Sequence, residues 1–407
     1  VLFYSDMFTS LYMHIPFCTS RCGYCDFNTY AGVNSLIPQY VNALCREVII
    51  LSTIDNKPKT VHTIYFGGGT PSLISFEDIQ KVISTIRNEY DVIPDVEITL
   101  EANPGSVTAE YFNGLKKIGF TRLSLGMQSA HTNELALLER KHDFNQVAQS
   151  VRWAADAGFR HISLDLIFGI PGQTLDSWNR SLDAAINLQI NHLSLYSLTV
   201  EEGTPLQRQI LEGSIEPPDE DLAGDMFELA IKKLPDFGFS QYEISNWSKS
   251  QDSRSMHNIQ YWKCHPYLGL GAGAHGYYGH YRYENIAGIL PYVAAIEKDS
   301  ESIHPRPPVE KEGHSLNPWD EMQEFMMLGL RLTEDGVSRM DFFSRFSYSM
   351  DDLFKGQIER LFHLKLIENH PENLDRLRLT AKGIIFGNRV FMEFVGNPEP
   401  DEQKNQS

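Results

Sequence analysis

Along the first half of the chain, apolar strand-like runs alternate with stretches whose apolar residues fall three and four apart. The runs Leu11 to Pro16, Val61 to Phe66, Val96 to Leu100, Arg122 to Gly126, His161 to Phe168 and His192 to Thr199 predict six strands. Between them, helices are predicted from Ile37 to Ser52, from the capping-box-like Ser75 to about Tyr90, and from Thr108 to a stop at Gly119. Two more segments split near Lys141 to Asp143 and close at Gly158, and a last helix reaches Leu188. Consecutive strand–helix units imply a parallel sheet with right-handed crossovers. Such a sheet curls into a partial (β/α)6 barrel or lies open and doubly wound, and periodicity alone leaves both open. The unusual polar and glycine residues favour the barrel. Cys18, Gly68, Glu101, Gln128, Asp165 and Thr199 fall at the C-terminal ends of successive strands, the face on which barrel enzymes build their sites.

The rhythm breaks after Glu201. Glu216-Pro-Pro-Asp-Glu220 predicts a linker into an amphipathic helix from Asp221 to Leu234, and Phe239 to Asn246 an added strand. A second linker is expected at His304 to Lys311, then short helices around Met326, Phe342 and Ile358. The closing stretch Leu377 to Ile384 is like the strand edge of a winged-helix module. The expected organisation is an extension over 1–10, an α/β partial barrel over 11–215, a barrel extension over 216–310, a C-terminal α+β domain over 311–395 and a polar, disordered tail over 396–407.

Composition narrows the function classes. At 407 residues with 42% hydrophobic and 22% charged content, the chain is an ordinary globular protein of two or three domains. A net charge of −18 argues against a nucleic-acid binder, so the C-terminal module is expected to pack against the barrel. No run of about 18 apolar residues predicts a membrane span, and Val1 to Ser10 lack the pattern of a targeting peptide. Five cysteines, an odd count without a secretory signal, argue against a disulfide framework and for a reducing, cytoplasmic setting.

Three of those cysteines, Cys18, Cys22 and Cys25, share one loop after the first strand at C-x3-C-x2-C spacing. Three thiolates on one tight loop suit three irons of a cubane cluster and leave the fourth iron open. A zinc site is the rival, because His14 lies four residues before Cys18. Zinc ligands usually come as two separated pairs, however, and here they share a loop. Gly67-Gly68-Gly69 lets the backbone pass close to a ligand, and Thr70 adds a hydroxyl. Glu101 and Gln128 end strands, Arg140 ends a helix, and Asp165 interrupts an apolar run, where a charge needs a partner. Cys45 on a helix face is expected to be plain core, and Cys264 a bystander.

Tyr12-x-His14-Ile-Pro-Phe-Cys18-x3-Cys22-x-Tyr24-Cys25, the Gly-Gly-Gly-Thr-Pro turn, Glu101-Ala-Asn-Pro, Gly126-Met-Gln-Ser, Arg140-x-His142 and Asp165-Leu-Ile-x-Gly-Ile-Pro-Gly-Gln together resemble the HemN/HemW branch of radical SAM proteins. The resemblance runs from about Leu11 to Val395. It implies that Cys18, Cys22 and Cys25 hold a [4Fe-4S] cluster. It also implies that Tyr12, Tyr24, Gly68, Gly69, Thr70, Glu101, Gln128, Arg140 and Asp165 line an S-adenosylmethionine site, with Arg140 facing the carboxylate. Two functional classes share the branch. Oxygen-independent coproporphyrinogen III oxidases carry a fourth cysteine two residues after the third, where this chain has Phe27. The haem chaperones have phenylalanine there and a His-Asn-x-x-Tyr-Trp motif, found here as His257 to Trp262. The resemblance thus favours a haem-binding chaperone, with His257, Tyr261 and Trp262 at haem and haem-requiring respiratory membrane proteins as clients. It leaves open peripheral membrane contact, a homodimer and the productive cleavage of S-adenosylmethionine. Gly271-Ala-Gly-Ala-His-Gly276 fits a dinucleotide fingerprint, but no strand–turn–helix unit surrounds it, and His275 has no assigned role.

Overall fold

The computed structural model describes residues 8–53, 60–298 and 306–396. Most of the expected extension and tail, and the start of the second linker, lie outside the described residues. The chain divides into two compact units. One takes residues up to Phe237 together with Pro266–His314, and the other takes Gly238–His265 together with Ser315 onward.

The first unit is built on strands β1 (Phe8–Ile15), β2 (Thr60–Gly68), β3 (Asp91–Ala102), β4 (Arg122–Gln128), β5 (His161–Phe168) and β6 (His192–Ser197). Neighbours in the sheet are neighbours in sequence, and every pair is parallel. That order decides between the two architectures. Right-handed crossovers that always step the same way put every helix on one face, whereas a doubly wound sheet must reverse direction. Helices α1 (Ile37–Ser52), α2 (Phe76–Glu89), α3 (Ala109–Ile118), α4 (Thr132–Leu137), α5 (Phe144–Asp156) and α6 (Leu175–Ile186) follow the strands. α1 packs on α2, α2 on α3, and α3 on α5. The result is the expected partial barrel. On its other side β1 pairs in parallel with Tyr267–Leu270, and His275–Tyr278 and Tyr281–Asn285 extend the sheet antiparallel. β1 starts at Phe8 rather than after residue 10, because Phe8, Thr9 and Ser10 pair with Thr60, Val61 and Thr63.

The two faces of the sheet differ in kind. Leu11, Met13, Ile64, Phe66, Ile98, Leu100, Leu123, Leu125, Leu164, Leu166 and Leu193 are all essentially buried under the helices, each contributing about 1.5–3 kcal/mol by leaving water. The alternate positions are polar or amphipathic: Tyr12, Tyr65, Glu101, Ser124, Asp165 and Ser194. Local chemistry ends the helices where the sequence marks it. The Ser75 hydroxyl accepts from the Asp78 amide, and the Thr108 hydroxyl from Tyr111. Gly119 closes α3 at φ +112°, and an Asp143–Gln146 capping box opens α5.

The expected 216–310 extension is divided between the units. Helix Glu220–Lys233 belongs with the barrel, where Met226 O accepts from the Trp178 indole N–H at 2.9 Å. Segment 238–265 belongs with the second unit because Tyr242, Ile259 and Trp262 pack on Leu332. The predicted strand there is a hairpin of Ser240–Glu243 and Asn246–Ser248. The C-terminal elements run helix Pro318–Gly329, strand Val337–Ser338, helices Arg339–Phe346 and Lys355–His363, then strands Ile367–Asn369 and Arg376–Leu379. This is a winged-helix order, with Arg376–Leu379 as the central strand of its antiparallel sheet. Its core joins Met326, Phe342, Phe354, Leu361, Leu377 and Phe394.

Candidate functional site

The cysteine loop leaves β1 at the C-terminal edge of the barrel. Phe17–Cys18 pairs in parallel with Tyr30–Ala31, so the loop closes on itself, and the Tyr30 amide donates to Pro16 O at 2.7 Å. Cys18 is buried and Cys22 and Cys25 are half-buried, and all three are free thiols. Burial pushes the Cys18 and Cys25 thiols up from their ordinary pKa, so taking a metal there releases protons. Among the described residues no three His, Cys, Asp or Glu side chains converge as ligands of one metal ion. His14, the fourth ligand of the rival zinc set, is engaged at both ring nitrogens. It donates from Nε2 to Asn28 O (2.9 Å), which leaves Nδ1 to accept from the Tyr12 hydroxyl (3.1 Å).

The three glycines at the C-terminal end of β2 dock this loop. A Cβ on Gly67 would lie 3.0 Å from the Tyr12 ring and 3.2 Å from Glu101 Oε1. On Gly68, which has φ +114°, it would lie 2.6 Å from the His14 ring. On Gly69 it would lie 2.6 Å from Phe17 O and 3.0 Å from Cys18 Sγ. Protein atoms therefore fill the side on which each Cβ would stand. The Gly69 amide donates to Ile15 O and the Thr70 amide to Phe17 O, both at 2.8 Å, and the Thr70 hydroxyl lies 3.7 Å from Cys18 Sγ.

The remaining polar residues line the inner face beside the loop. Glu101 accepts from the Tyr65 hydroxyl at Oε1 (2.8 Å) and from the Gly68 amide at Oε2 (3.1 Å). Burial, with the nearby Asp165 charge adding to it, pushes its carboxyl up to about 7. Asp165 finds its partners in hydroxyls rather than in a contacting cation. Ser124 Oγ lies 2.8 Å from both carboxylate oxygens, and the Ser194 and Ser163 hydroxyls lie close enough to favour its charged form. Burial raises this carboxyl to about 6 against those bonds and the Arg140 charge. Arg140 points Nη1 at Cys22 Sγ (3.6 Å) and donates from Nη2 to Gly126 O (3.2 Å). Its buried Nε has no hydrogen-bond partner among the described residues. Gln128 ends β4 at φ +61°, just past a register shift against β5, a strained backbone of the kind that collects at functional sites. Tyr24 packs against the cluster of Leu138, Ile170 and Leu206, with Arg140, Cys22 and Asp165 close enough to act on its hydroxyl.

The structure thus brings Tyr12, Tyr24, Gly68, Gly69, Thr70, Glu101, Gln128, Arg140 and Asp165 to the same edge as the three cysteines. The sequence reading missed Tyr65 and the serines around Asp165. Their signal was the polar half of the strand alternation, where Tyr65 pairs in register with Tyr12 and Ser194 with Asp165.

The His-Asn-x-x-Tyr-Trp motif forms helix Met256–Trp262 in the second unit. His257 is buried, with Nε2 2.8 Å from the Tyr261 hydroxyl and the rings edge-on. Trp262 lies half-buried at the end of that helix. The Arg331 guanidinium covers the indole at 4.3 Å, and the buried indole Nε1 lacks a hydrogen-bond partner among the described residues.

Residues 12–185 match the Radical SAM superfamily, and residues 316–386 match the HemN C-terminal domain. The chain is 37% identical over 388 residues to a Bacillus subtilis protein named Heme chaperone HemW, covering 95% of this chain and 99% of that one. This chain belongs to the HemW family of radical SAM proteins. A Lactococcus lactis protein of the same name is 34% identical, covering 95% and 97% of the two chains. Among solved structures, Escherichia coli coproporphyrinogen III oxidase, HemN, superposes with a TM-score of 0.82 at 21% identity, over 97% of this chain and 91% of that one. That likeness establishes the common fold. Membership of the superfamily implies a [4Fe-4S] cluster and S-adenosylmethionine as cofactors. The donor set fits both: three free thiols on one loop, and a buried guanidinium with an unpaired nitrogen beside them.

Proposed function

We propose that the protein is a cytoplasmic haem chaperone that binds a [4Fe-4S] cluster, S-adenosylmethionine and haem and delivers haem to respiratory membrane proteins. The observation that carries this reading is the end-to-end match to Heme chaperone HemW, joined with Phe27, which is 63% exposed where the oxidases place a fourth cysteine. In this reading Cys18, Cys22 and Cys25 would hold the [4Fe-4S] cluster, with S-adenosylmethionine bound beside it. Arg140 meets the ligand carboxylate with its unpaired Nε, as a rigid fork of donors suits a planar anion. Glu101 and Asp165 keep lone pairs for ribose hydroxyls and the ammonium group. When bound, the cluster supplies an electron to the sulfonium. The chain's own residues orient that ligand and keep it on the inner face of the barrel.

Haem is assigned to His257, Tyr261 and Trp262. Because the Tyr261 hydroxyl holds His257 Nε2, axial ligation through that nitrogen requires the phenol to turn away. The test is anaerobic reconstitution, iron and sulfide analysis, then haemin titration followed at the Soret band. The expected result is a loaded cluster, saturable haem binding weakened in His257→Ala, and no conversion of coproporphyrinogen III. Protoporphyrinogen formed at catalytic rates overturns the chaperone reading. Undiminished haem binding by His257→Ala removes that residue from the role.

A further inference from the structure

The glycine-rich run Gly269 to Gly276 matches a nucleotide fingerprint, yet its glycines are explained by protein atoms. A Cβ on Gly271 would lie 2.7 Å from His14 O and overlap the Tyr40 hydroxyl, and one on Gly273 would overlap the Asn28 amide. His14 enters the cysteine loop and Asn28 leaves it, so the run grips both ends of that loop. Asn28 Nδ2 donates to Ala272 O (2.9 Å) and Ala287 O (3.0 Å). The Tyr40 hydroxyl donates to His14 O (2.7 Å) and accepts from the Ala272 amide (2.9 Å).

What fixes the run itself is Glu47, two helical turns after Tyr40 on the same face of α1. It is wholly buried, and no cation acts on it among the described residues. Its Oε2 accepts from the Gly271 amide (2.7 Å) and the Tyr292 hydroxyl (2.6 Å), and its Oε1 from Asn285 Nδ2 (2.9 Å). A buried carboxylate is costly without such donors. Here it gathers α1, the glycine run, the Tyr281–Asn285 strand and the following helix Ile289–Lys298 into one node.

We propose that Glu47 is a positioning residue for the cysteine loop, acting through Gly271 and Ala272 on His14 and Asn28. The role of that loop in holding the cluster rests on the function proposed above. Glu47→Gln tests it, because the amide has one acceptor oxygen and its nitrogen must face a donor, either Gly271 N–H or Asn285 Nδ2. Val48→Ala, a buried neighbour on the same helix, is the control for general destabilisation. In the apo protein, hydrogen exchange of amides 25–31 and alkylation of Cys22 and Cys25 are followed. In the reconstituted protein, iron loss to a chelator is followed.

Glu47→Gln is expected to speed all three by about tenfold, the effect of losing roughly one buried hydrogen bond, while Val48→Ala lowers the unfolding midpoint and leaves amides 25–31 protected. Wild-type protection of 25–31 in Glu47→Gln, or an equal loss in Val48→Ala, overturns the proposal. If the wild-type protein takes up no iron, the cluster reading fails, and the apo exchange measurement still judges Glu47.

Discussion

Gly69→Ala probes how tightly the cysteine loop is seated. The added Cβ meets Phe17 O at 2.6 Å, Cys18 Sγ at 3.0 Å and Ile15 O at 3.0 Å. Two of these are backbone carbonyls, which cannot swing aside as the tip of a long side chain can. To restore ordinary contact, Phe17 O must retreat by about 0.8 Å, and that releases the Thr70 amide bonded to it at 2.8 Å. Overpacking of this kind costs about 1–3 kcal/mol, and the lost hydrogen bond about 0.5–1.5 kcal/mol. The expected destabilisation is therefore about 2–4 kcal/mol, read from denaturant unfolding of the apo protein. Gly224→Ala is the matched contrast. Gly224 lies inside helix Glu220–Lys233 and nothing lies within 4 Å of its new Cβ, so a gain of about 0.4–1 kcal/mol is expected. A Gly69→Ala protein as stable as wild type would refute the reading that protein atoms, rather than a ligand, require glycine there.

Two further predictions concern the ligands. Burial raises Glu101 to about 7 and Asp165 to about 6. The folded apo protein therefore holds these protons more tightly than the unfolded chain, and the two groups lower its stability as pH rises between about 4 and 7. A cationic ligand favours their ionised forms. S-adenosylmethionine should thus bind the reconstituted protein more tightly at about pH 8 than at about pH 6 and release protons below pH 7, as calorimetry in buffers of different ionisation enthalpy would record. Affinity that is flat across this range would remove the two carboxylates from the ligand's cationic group. Tyr261→Phe deletes the hydroxyl that holds His257 Nε2, worth about 1 kcal/mol. If His257 is the axial ligand, haemin affinity rises by up to about fivefold, and unchanged affinity in a Soret titration counts against it.

Several features were legible because they depend on residues close in the chain. Caps at Ser75 and Thr108 and the αL stop at Gly119 are local hydrogen-bond arrangements, so sequence alone located them. The cysteine loop was legible for the same reason, since a spacing of three and two residues bounds how far the thiols can separate. Phe27 marked the departure from the oxidase pattern. The residues that gather around Asp165 were not legible. Ser124 and Ser194 lie on the strands either side of Asp165, and only register brings their hydroxyls beside its carboxylate. Nor was the fate of segment 238–265, whose apolar residues are equally able to cover a barrel or a neighbouring helix until Leu332 takes them.

The sequence by itself determined the alternation of strands and helices, the ligand-bearing loop and the polar strand ends, because periodicity and short spacings are properties of the chain. The tertiary structure decided the rest. Sequential strand order made the sheet a one-sided partial barrel. Crowding by Tyr12, His14, Phe17 and Cys18 explained the triple glycine. A buried Glu47 turned an apparent nucleotide motif into a clamp on the cysteine loop. Each depends on atoms far apart in the chain meeting at contact distance, and composition and spacing do not encode such meetings.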